Sequence, residues 1–235
     1  MDIRDPDITR LKDMVTAVQE EFDLAVSCHE VWKPSAFNAD LHGRMTMSYA
    51  GHAFLVVRMA LRREVVLALA RIWDTNPKAA RMSAINELLG KPGLIGALAK
   101  DRAERIGLPE SAEAMRSDLA AKAEKVRRLV CEYSKNGSRY TIFADLRHMR
   151  NTRLAHRQFE PSPTNMASEL DHAIEQFYSD TSNLIRLLMS LVNATAYDPA
   201  ETAQVYEWHA TKFWAGVRSE KVEGHPHFKR SNRTS

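Results

Sequence analysis

The sequence has few of the residues that build disulfide frameworks, metal centres or loop-rich folds. Only two of its 235 residues are cysteine, Cys28 and Cys131, and their wide separation is typical neither of a disulfide framework nor of a zinc site. Glycine and proline number nine each, whereas helix-forming residues dominate, which favours an all-α fold. We therefore expect reduced thiols and a reducing, cytoplasmic compartment.

Long uncharged apolar runs are also missing. The most apolar stretch, residues 53–73, is interrupted by five charges: Arg58, Arg62, Arg63, Glu64 and Arg71. A membrane span needs roughly 20 nearly uncharged residues, so we expect no contact with a membrane. The acidic N-terminus has no apolar segment of the kind found in secretory signals. The net charge of +3 resides largely in residues 218–235, so any RNA site must be a local cluster of cations.

Apolar spacing, turn residues and capping residues predict a chain of helices. The predicted helices are Asp7–Trp32, ended by Lys33-Pro34; Ala39–Trp73, capped by Asn38; Ser83–Leu89; Leu94–Arg105; Pro109–Tyr133; Tyr140–Gln158; a helix capped by Asn165 or Ser168 that ends at Val192; and Pro199–Arg218. The helix over residues 39–73 is apolar on most sides in its second half, from Phe54 onward, which predicts a central position in a bundle. We expect one α-helical domain over residues 1–218 and a basic flexible tail over residues 219–235.

The predicted helix over residues 140–158 carries the densest cluster of cations. With about 100° per residue, Arg150 falls inside its apolar stripe and His156 falls near the edge of that stripe. A charge that faces the core needs a partner or a function. The central helix closes on Arg71 and Asp74, and Asp74 opposes the helix dipole there, so it needs a cationic partner. A simple pair with Arg71, three residues earlier, is one interpretation.

The sequence contains no pattern of a metal-dependent or cofactor-dependent enzyme, so we expect neither a metal nor a cofactor. It lacks Glu-x-x-His pairs, a Gly-x-Ser-x-Gly elbow and a His-Glu-x-x-His helix. An arginine and a histidine with flanking cations are enough for metal-independent RNA cleavage, because RNA supplies its own 2′-hydroxyl nucleophile. Arg147, Arg153 and Arg157 then have the right charge to bind neighbouring phosphates.

Two motifs resemble those of a known superfamily. Arg150 and Asn151 followed by His156, with Ala155 before the histidine, resemble the Arg-polar-x4–6-His signature of HEPN proteins. The segment Leu69-Ala70-Arg71-Ile72-Trp73-Asp74 resembles the AbiU-type abortive-infection branch, in which an Arg-x-x-Asp closes an early helix. The resemblance covers about Phe37 to Val192.

The resemblance implies an up-and-down helical bundle with extra short helices and a C-terminal helix. It also implies a homodimer with one RNA cleft, products that end in a 2′,3′-cyclic phosphate, and a role in phage defence or a toxin–antitoxin pair with a possible antitoxin protein. Arg150 would steady the scissile phosphate, His156 would act as acid and base, and Asn151 would hold the cleft geometry. Asp74 is a candidate to orient Arg150. Two alternatives stay open: a non-catalytic helical module that binds RNA, nucleotide or a partner protein, and a purely structural bundle in which Arg150 is a satisfied buried cation.

Overall fold

The computed structural model describes residues 6–46, 50–74, 76, 79–149 and 164–217, and within these ranges the chain forms nine α-helices and no strand. The helices are α1 (Pro6–Phe37), α2 (Ala39–Thr46), α3 (Ala50–Ile72), α4 (Met82–Leu89), α5 (Leu94–Arg105), α6 (Ala112–Glu132), α7 (Tyr140–Met149), α8 (Thr164–Leu188) and α9 (Pro199–Gly216). A short 3-10 turn precedes α6, and a π-helical turn, Met189–Asn193, follows α8. The predicted all-α fold is confirmed. None of the helices in the described ranges is long and apolar enough to cross a membrane.

Most of the predicted helix positions agree with the structure. The predicted bounds of α4, α5, α6, α8 and α9 lie within a few residues of those observed. The single helix predicted over residues 39–73 corresponds to α2 and α3, and residues 47–49 between them lie outside the described part of the chain. Asn38 caps α2 as predicted, because its Oδ1 accepts a hydrogen bond of 2.8 Å from the backbone N–H of Leu41.

The predicted end of the first helix is wrong. Helix α1 continues through Lys33-Pro34 and ends at Phe37. A proline inside a helix removes one N–H from the hydrogen-bond ladder and crowds the carbonyl four residues earlier. Tertiary contacts outweigh this cost: Trp32 is fully buried, and Trp214 Nε1 donates a hydrogen bond of 2.8 Å to the carbonyl of Val31.

The chain divides into two compact units. Unit 1 consists of Met1–Ala25 and Val66–Pro199, and unit 2 of Val26–Val65 and Ala200–Ser235. The largest fully buried side chains of unit 1 include Leu11, Phe22, Leu69, Ile72, Met82, Ile85, Leu98, Leu119 and Phe177. The core of unit 2 contains Leu41, Met45, Phe54, Ala210 and Trp214. The tail predicted over residues 219–235 lies outside the described residues, so the division of the chain at residue 218 stays a prediction.

Helix α3 is central only in part. Val65, Leu69 and Ile72 are buried, as predicted. The same prediction is wrong for Leu55 and Val57, whose side chains are 50% and 38% exposed. A continuous apolar run predicts burial on all sides, but burial requires a neighbouring element on each side, and the run itself carries no information about those neighbours.

Candidate functional site

Helix α7 is the described part of the predicted motif helix. Leu146 is buried and Ile142 and Phe143 are half-buried, which agrees with the described part of the predicted apolar stripe, whereas Arg147 and His148 are exposed. The remaining predicted site residues, Arg150, Asn151, Arg153, His156 and Arg157, lie outside the described residues. The structure therefore describes three of the predicted site residues, Arg71, Asp74 and Arg147, together with the elements that surround them.

A cluster of aromatic rings fixes α7 against its neighbours. The ring of Trp73, directly after α3, lies 5.1 Å from Tyr133, 5.4 Å from Phe177 and 6.2 Å from Phe143 between ring centroids. Trp73 Nε1 donates a hydrogen bond of 3.1 Å to the hydroxyl of Thr181 on α8. Aromatic pairs contribute about 0.5–1.5 kcal/mol each beyond the area they bury. The cluster thus joins α7 to the ends of α3 and α6 and to α8.

A polar network fixes the start of α7. The carboxylate of Asp180 on α8 accepts hydrogen bonds from the hydroxyl of Tyr133, from the guanidinium of Arg139 and, at 3.0 Å, from the amide of Gln176. Arg139, one residue before α7, also lies 3.1 Å from a carboxylate oxygen of Glu132. Burial and, to a smaller degree, the bond to Asp180 raise the pKa of Tyr133 above its ordinary value, so this hydroxyl remains a donor at neutral pH.

Asp74 and Arg147 line the same small pocket. The rest of the lining is largely apolar and comes from α3, α7 and α8: Val66, Leu69, Ala70, Trp73, Phe143, Leu146 and Phe177. The cavity volume is about 20 Å³, which is enough for one water molecule but far too small for a nucleobase. The lining of this pocket therefore includes both a carboxylate and a guanidinium, and the pocket is not a base-binding cleft.

Arg71 has a described partner on another helix. Its guanidinium forms an ion pair with Glu21 on α1, with N–O distances of 2.7 and 2.8 Å. Asp74 Oδ1 accepts a hydrogen bond of 3.2 Å from the backbone N–H of Asn76. The Arg71–Asp74 pair considered from the sequence stays a prediction, and the contact with Glu21 already gives Arg71 a structural role.

Helices α7 and α8 run antiparallel where they contact each other. Arg139 binds Asp180, and Phe143, one turn further along α7, contacts Phe177, one turn earlier on α8, with ring centroids 6.1 Å apart. The buried stripe of α8 runs on toward its N-terminus through Thr181, Phe177, Ile174 and Asp171. Asp171 is only 2% exposed, and a carboxylate buried so deeply requires hydrogen-bond donors or a cation around it. Asp171 is therefore a polar position in an apolar stripe, on the part of α8 toward which α7 runs.

The sequence reasoning missed Tyr133, Arg139, Asp180 and Asp171. For Asp171 a signal was present, because it stands at helical spacing in a stripe with Ile174 and Phe177, and the same pattern singled out Arg150. The other three are brought together by contacts between residues that are more than 40 positions apart, and no local pattern encodes those contacts.

Among the described residues, no group of three or more histidine, cysteine, aspartate or glutamate side chains is arranged to hold a metal ion.

The described helices, with α7 packed against the end of α3 and against α8, define an all-α protein. The chain belongs to the AbiU2 family of HEPN proteins, whose family model (HEPN_AbiU2) matches residues 8–213. This match confirms the HEPN and AbiU-type resemblance, and it extends beyond the predicted range to α1 and most of α9. The protein is thus a HEPN module related to abortive infection. The search of curated proteins and the search of solved structures found no match.

Proposed function

We propose that this AbiU2-family protein is a metal-independent endoribonuclease of the HEPN type. The observation that carries the proposal is the family match over residues 8–213, which spans the whole of the Arg150–His156 motif. In this proposal the 2′-hydroxyl of the RNA attacks the neighbouring phosphate and the bond from phosphorus to the 5′-oxygen breaks. One product then ends in a 2′,3′-cyclic phosphate and the other begins with a 5′-hydroxyl. No protein nucleophile is needed, because the RNA supplies one.

Each motif residue has a role set by its chemistry. His156 acts as acid and base, because imidazole gains and loses a proton near neutral pH. Arg150 stabilises the charge that develops on the phosphate through its planar fork of donors. Asn151 holds the geometry of the cleft, and Arg153 and Arg157 bind neighbouring phosphates. Arg147, near the end of α7, is exposed, and this exposure supports the same phosphate-binding role for it.

Two carboxylates are candidates to orient Arg150. Asp74 is the first, and its place beside Arg147 in one pocket supports a location near the motif helix. We add Asp171 as the second. If the antiparallel pairing of α7 with α8 continues for two turns beyond the contact of Phe143 with Phe177, it pairs position 150 with Asp171, and this extension is part of the proposal. The burial of Asp171 supports it as the stronger candidate, since a buried carboxylate and a core-facing guanidinium satisfy each other.

The proposal also covers the oligomeric state and the biological role of the protein. Two copies of the chain form a homodimer whose motifs share one RNA cleft. The protein acts in the cytoplasm as a toxin or phage-defence factor, with a partner antitoxin that restrains it. The membership of the AbiU2 family supports this setting.

Cleavage of a labelled RNA in the presence of a chelator tests the proposal. We expect the wild-type protein to produce fragments with 2′,3′-cyclic phosphate ends, detected by mass spectrometry. Arg150→Ala and His156→Ala should each lower the rate by roughly 100-fold or more, the usual contribution of such groups. Matched controls are Arg128→Ala on the exposed face of α6 and His209→Ala on the exposed face of α9, which should cleave at the wild-type rate.

Two results would count against the proposal. Loss of cleavage on chelation would contradict the metal-independent mechanism. RNA binding without cleavage, retained by His156→Ala, would instead support the non-catalytic module that binds RNA, nucleotide or a partner protein.

A further inference from the structure

Unit 2 contains a pocket with a volume of about 350 Å³ whose lining comes from α2 and α3. The described lining is apolar or basic: it includes Met45 of α2 and Phe54, Leu55 and Arg58 of α3, and it contains no carboxylate. The side chain of Leu55 is 50% exposed. The volume lies within the range of roughly 300–1,000 Å³ that binding pockets usually have, so a few residues of an extended chain fit into it.

The apolar wall of this pocket is held in place by contacts within unit 2. The ring of Phe54 meets the rings of His42 and Trp214 edge-on, with centroids 5.7 and 5.6 Å apart. His42 Nε2 also donates a hydrogen bond of 2.5 Å to the carbonyl of Ser35. A segment that binds here meets a preformed surface, so little ordering of the pocket opposes its binding.

The described part of the C-terminal region ends close to the same pocket. Arg44 of α2 donates hydrogen bonds of 3.4 and 3.3 Å to the carbonyls of Trp214 and Val217 at the end of α9. Val217, the last described residue, packs against the unit 2 core cluster that contains Met45 and Phe54, and both of these residues also line the pocket. The chain therefore leaves α9 beside a cluster that forms part of the pocket wall.

Residues 218–235, the tail, follow Val217 and lie outside the described part of the chain. Their only two acidic side chains, Glu220 and Glu223, stand on either side of Val222. Beyond Glu223 every charged side chain of the tail is basic. At about 3.3–3.6 Å per residue, the chain from Val217 to Glu223 reaches at most roughly 20 Å. The apolar and acidic start of the tail thus lies within a short reach of the cluster and complements an apolar and basic pocket, whereas the basic remainder does not.

We propose that the start of the tail binds in this pocket as an extended segment. Val222 contacts Phe54 and Leu55, and the carboxylate of Glu223 pairs with the guanidinium of Arg58. The tail that the sequence predicts to be flexible is then held at its beginning by unit 2. The inference does not depend on the proposed RNA cleavage, because neither the pocket nor the tail contains a residue of the motif.

Limited trypsin digestion of the full-length protein tests the proposal at Lys221, the residue before Val222. The cleavage rate after Lys221 is measured by mass spectrometry and divided into the rate for a synthetic peptide of residues 216–235, and this ratio is the protection of the site. A bound segment is cleaved only when it opens, so we expect a protection of about tenfold or more at Lys221. Cleavage after Arg230, beyond the bound segment, should proceed within about twofold of the peptide rate.

Substitutions in the pocket test where the tail is held. Leu55→Glu should remove the protection, because it adds a negative charge to the lining that repels Glu223. The matched control is Met59→Glu, the same change at an exposed position of α3 outside the described lining, which should keep the protection.

A second pair of variants tests the proposed ion pair. Arg58→Gln and Glu223→Gln should each lower the protection by about twofold to fivefold, as expected for one exposed ion pair. The double variant should lower it no further, because both substitutions remove the same contact. Each Glu223 variant is compared with a peptide of its own sequence, and circular dichroism checks the helix content of all variants. Leu55→Glu, which changes an exposed side chain, keeps the proposal testable if Arg58→Gln does not fold.

Three results would overturn the proposal. The first is cleavage after Lys221 at the peptide rate in the wild-type protein. The second is equal protection in Leu55→Glu and Met59→Glu, which would mean that the tail is shielded somewhere else. The third is protection that falls as the protein is diluted, which would mean that the pocket holds the tail of a second copy.

Discussion

Asp171 and Arg150 should be energetically coupled. Asp171→Asn keeps the shape of the side chain but removes its charge, which would leave the guanidinium of Arg150 without its proposed partner. Removing one member of a buried ion pair typically costs about 3–5 kcal/mol, because the remaining charge stays buried and uncompensated. For a chain of this size, each kcal/mol corresponds to roughly 2–4 °C in Tm, so we expect a decrease of roughly 6–20 °C. The 2% exposure of Asp171 places it at the buried limit, where solvent screening is weakest.

A double-mutant cycle measures the coupling directly. The free energy of unfolding is measured by urea denaturation for the wild type, Asp171→Asn, Arg150→Gln and the double variant. If the two residues form a pair, the second substitution costs much less than it does alone, with a coupling of about 1–3 kcal/mol. A double variant with Asp171→Leu and Arg150→Met should recover much of the lost stability, because apolar replacements of buried pairs are often neutral or stabilising.

Two further double-mutant cycles decide between the candidate partners of Arg150. The first combines Arg150→Gln with Asp74→Asn, the carboxylate suggested by the sequence. The second combines Arg150→Gln with Asp145→Asn, on the exposed face of α7, and is the matched control. Additive effects of Asp171→Asn and Arg150→Gln, to within about 0.5 kcal/mol, would refute the proposed pair. Coupling of Arg150 to Asp74 alone would assign the orienting role to Asp74. These measurements do not require RNA cleavage, so their outcome is separate from that of the ribonuclease assay.

Two other predictions concern the contacts that hold α7. The folded-state pKa of Tyr133 is raised above its unfolded value of about 10, so its contribution to stability is fully present below pH 10 and is lost as the pH rises beyond that. Tyr133→Phe should therefore flatten the loss of stability between about pH 9.5 and 11; an unchanged slope of the unfolding free energy against pH would contradict this. Trp73→Ala should destabilise the protein by about 3–5 kcal/mol in urea denaturation, because it empties the centre of the aromatic cluster. The exposed Trp208→Ala is its control and should change stability by less than about 0.5 kcal/mol.

The fold was largely predictable because helical spacing and turn residues act locally. Leu94–Arg105 was predicted to the residue, since Gly93 precedes it and Gly107 and Pro109 follow it. Pro34 shows where such local rules fail, because its cost is offset by Trp32 and Trp214, and residue 214 is far away in the sequence. The burial predicted for Leu55 is wrong for the same reason, since an apolar residue is buried only where another element covers it.

The sequence predicts a chemistry for the candidate site, but it does not predict which residues of other helices surround it. Helical periodicity puts Arg150 in the apolar stripe of the predicted motif helix. The periodicity of one helix, however, does not show which other helix packs against that stripe. The residues that hold α7 in place come from α8 and from the ends of α3 and α6. Contacts such as those of Arg139 and Tyr133 with Asp180 are seen only in the three-dimensional structure. For Asp171 the sequence shows part of the answer. Its position in the apolar stripe of α8 singles it out, but its proposed partner follows only from the pairing of α7 with α8.

We expect Asp74 and Asp171 to have opposite effects on the proposed phosphate-binding site, because the two carboxylates differ in burial. Asp74 is only half-buried and lines the same pocket as the exposed Arg147, so we expect its negative charge to oppose a phosphate that approaches that guanidinium. Asp171 is buried, so a phosphate from solvent has no access to it, and its charge can orient an arginine without competing for that arginine's outer donors. In the proposed RNA cleft, Asp74 therefore limits how tightly RNA is held, whereas Asp171 determines whether Arg150 is in place for the reaction. Loss of Asp74 would strengthen RNA binding, and loss of Asp171 would lower the rate of cleavage with little change in binding.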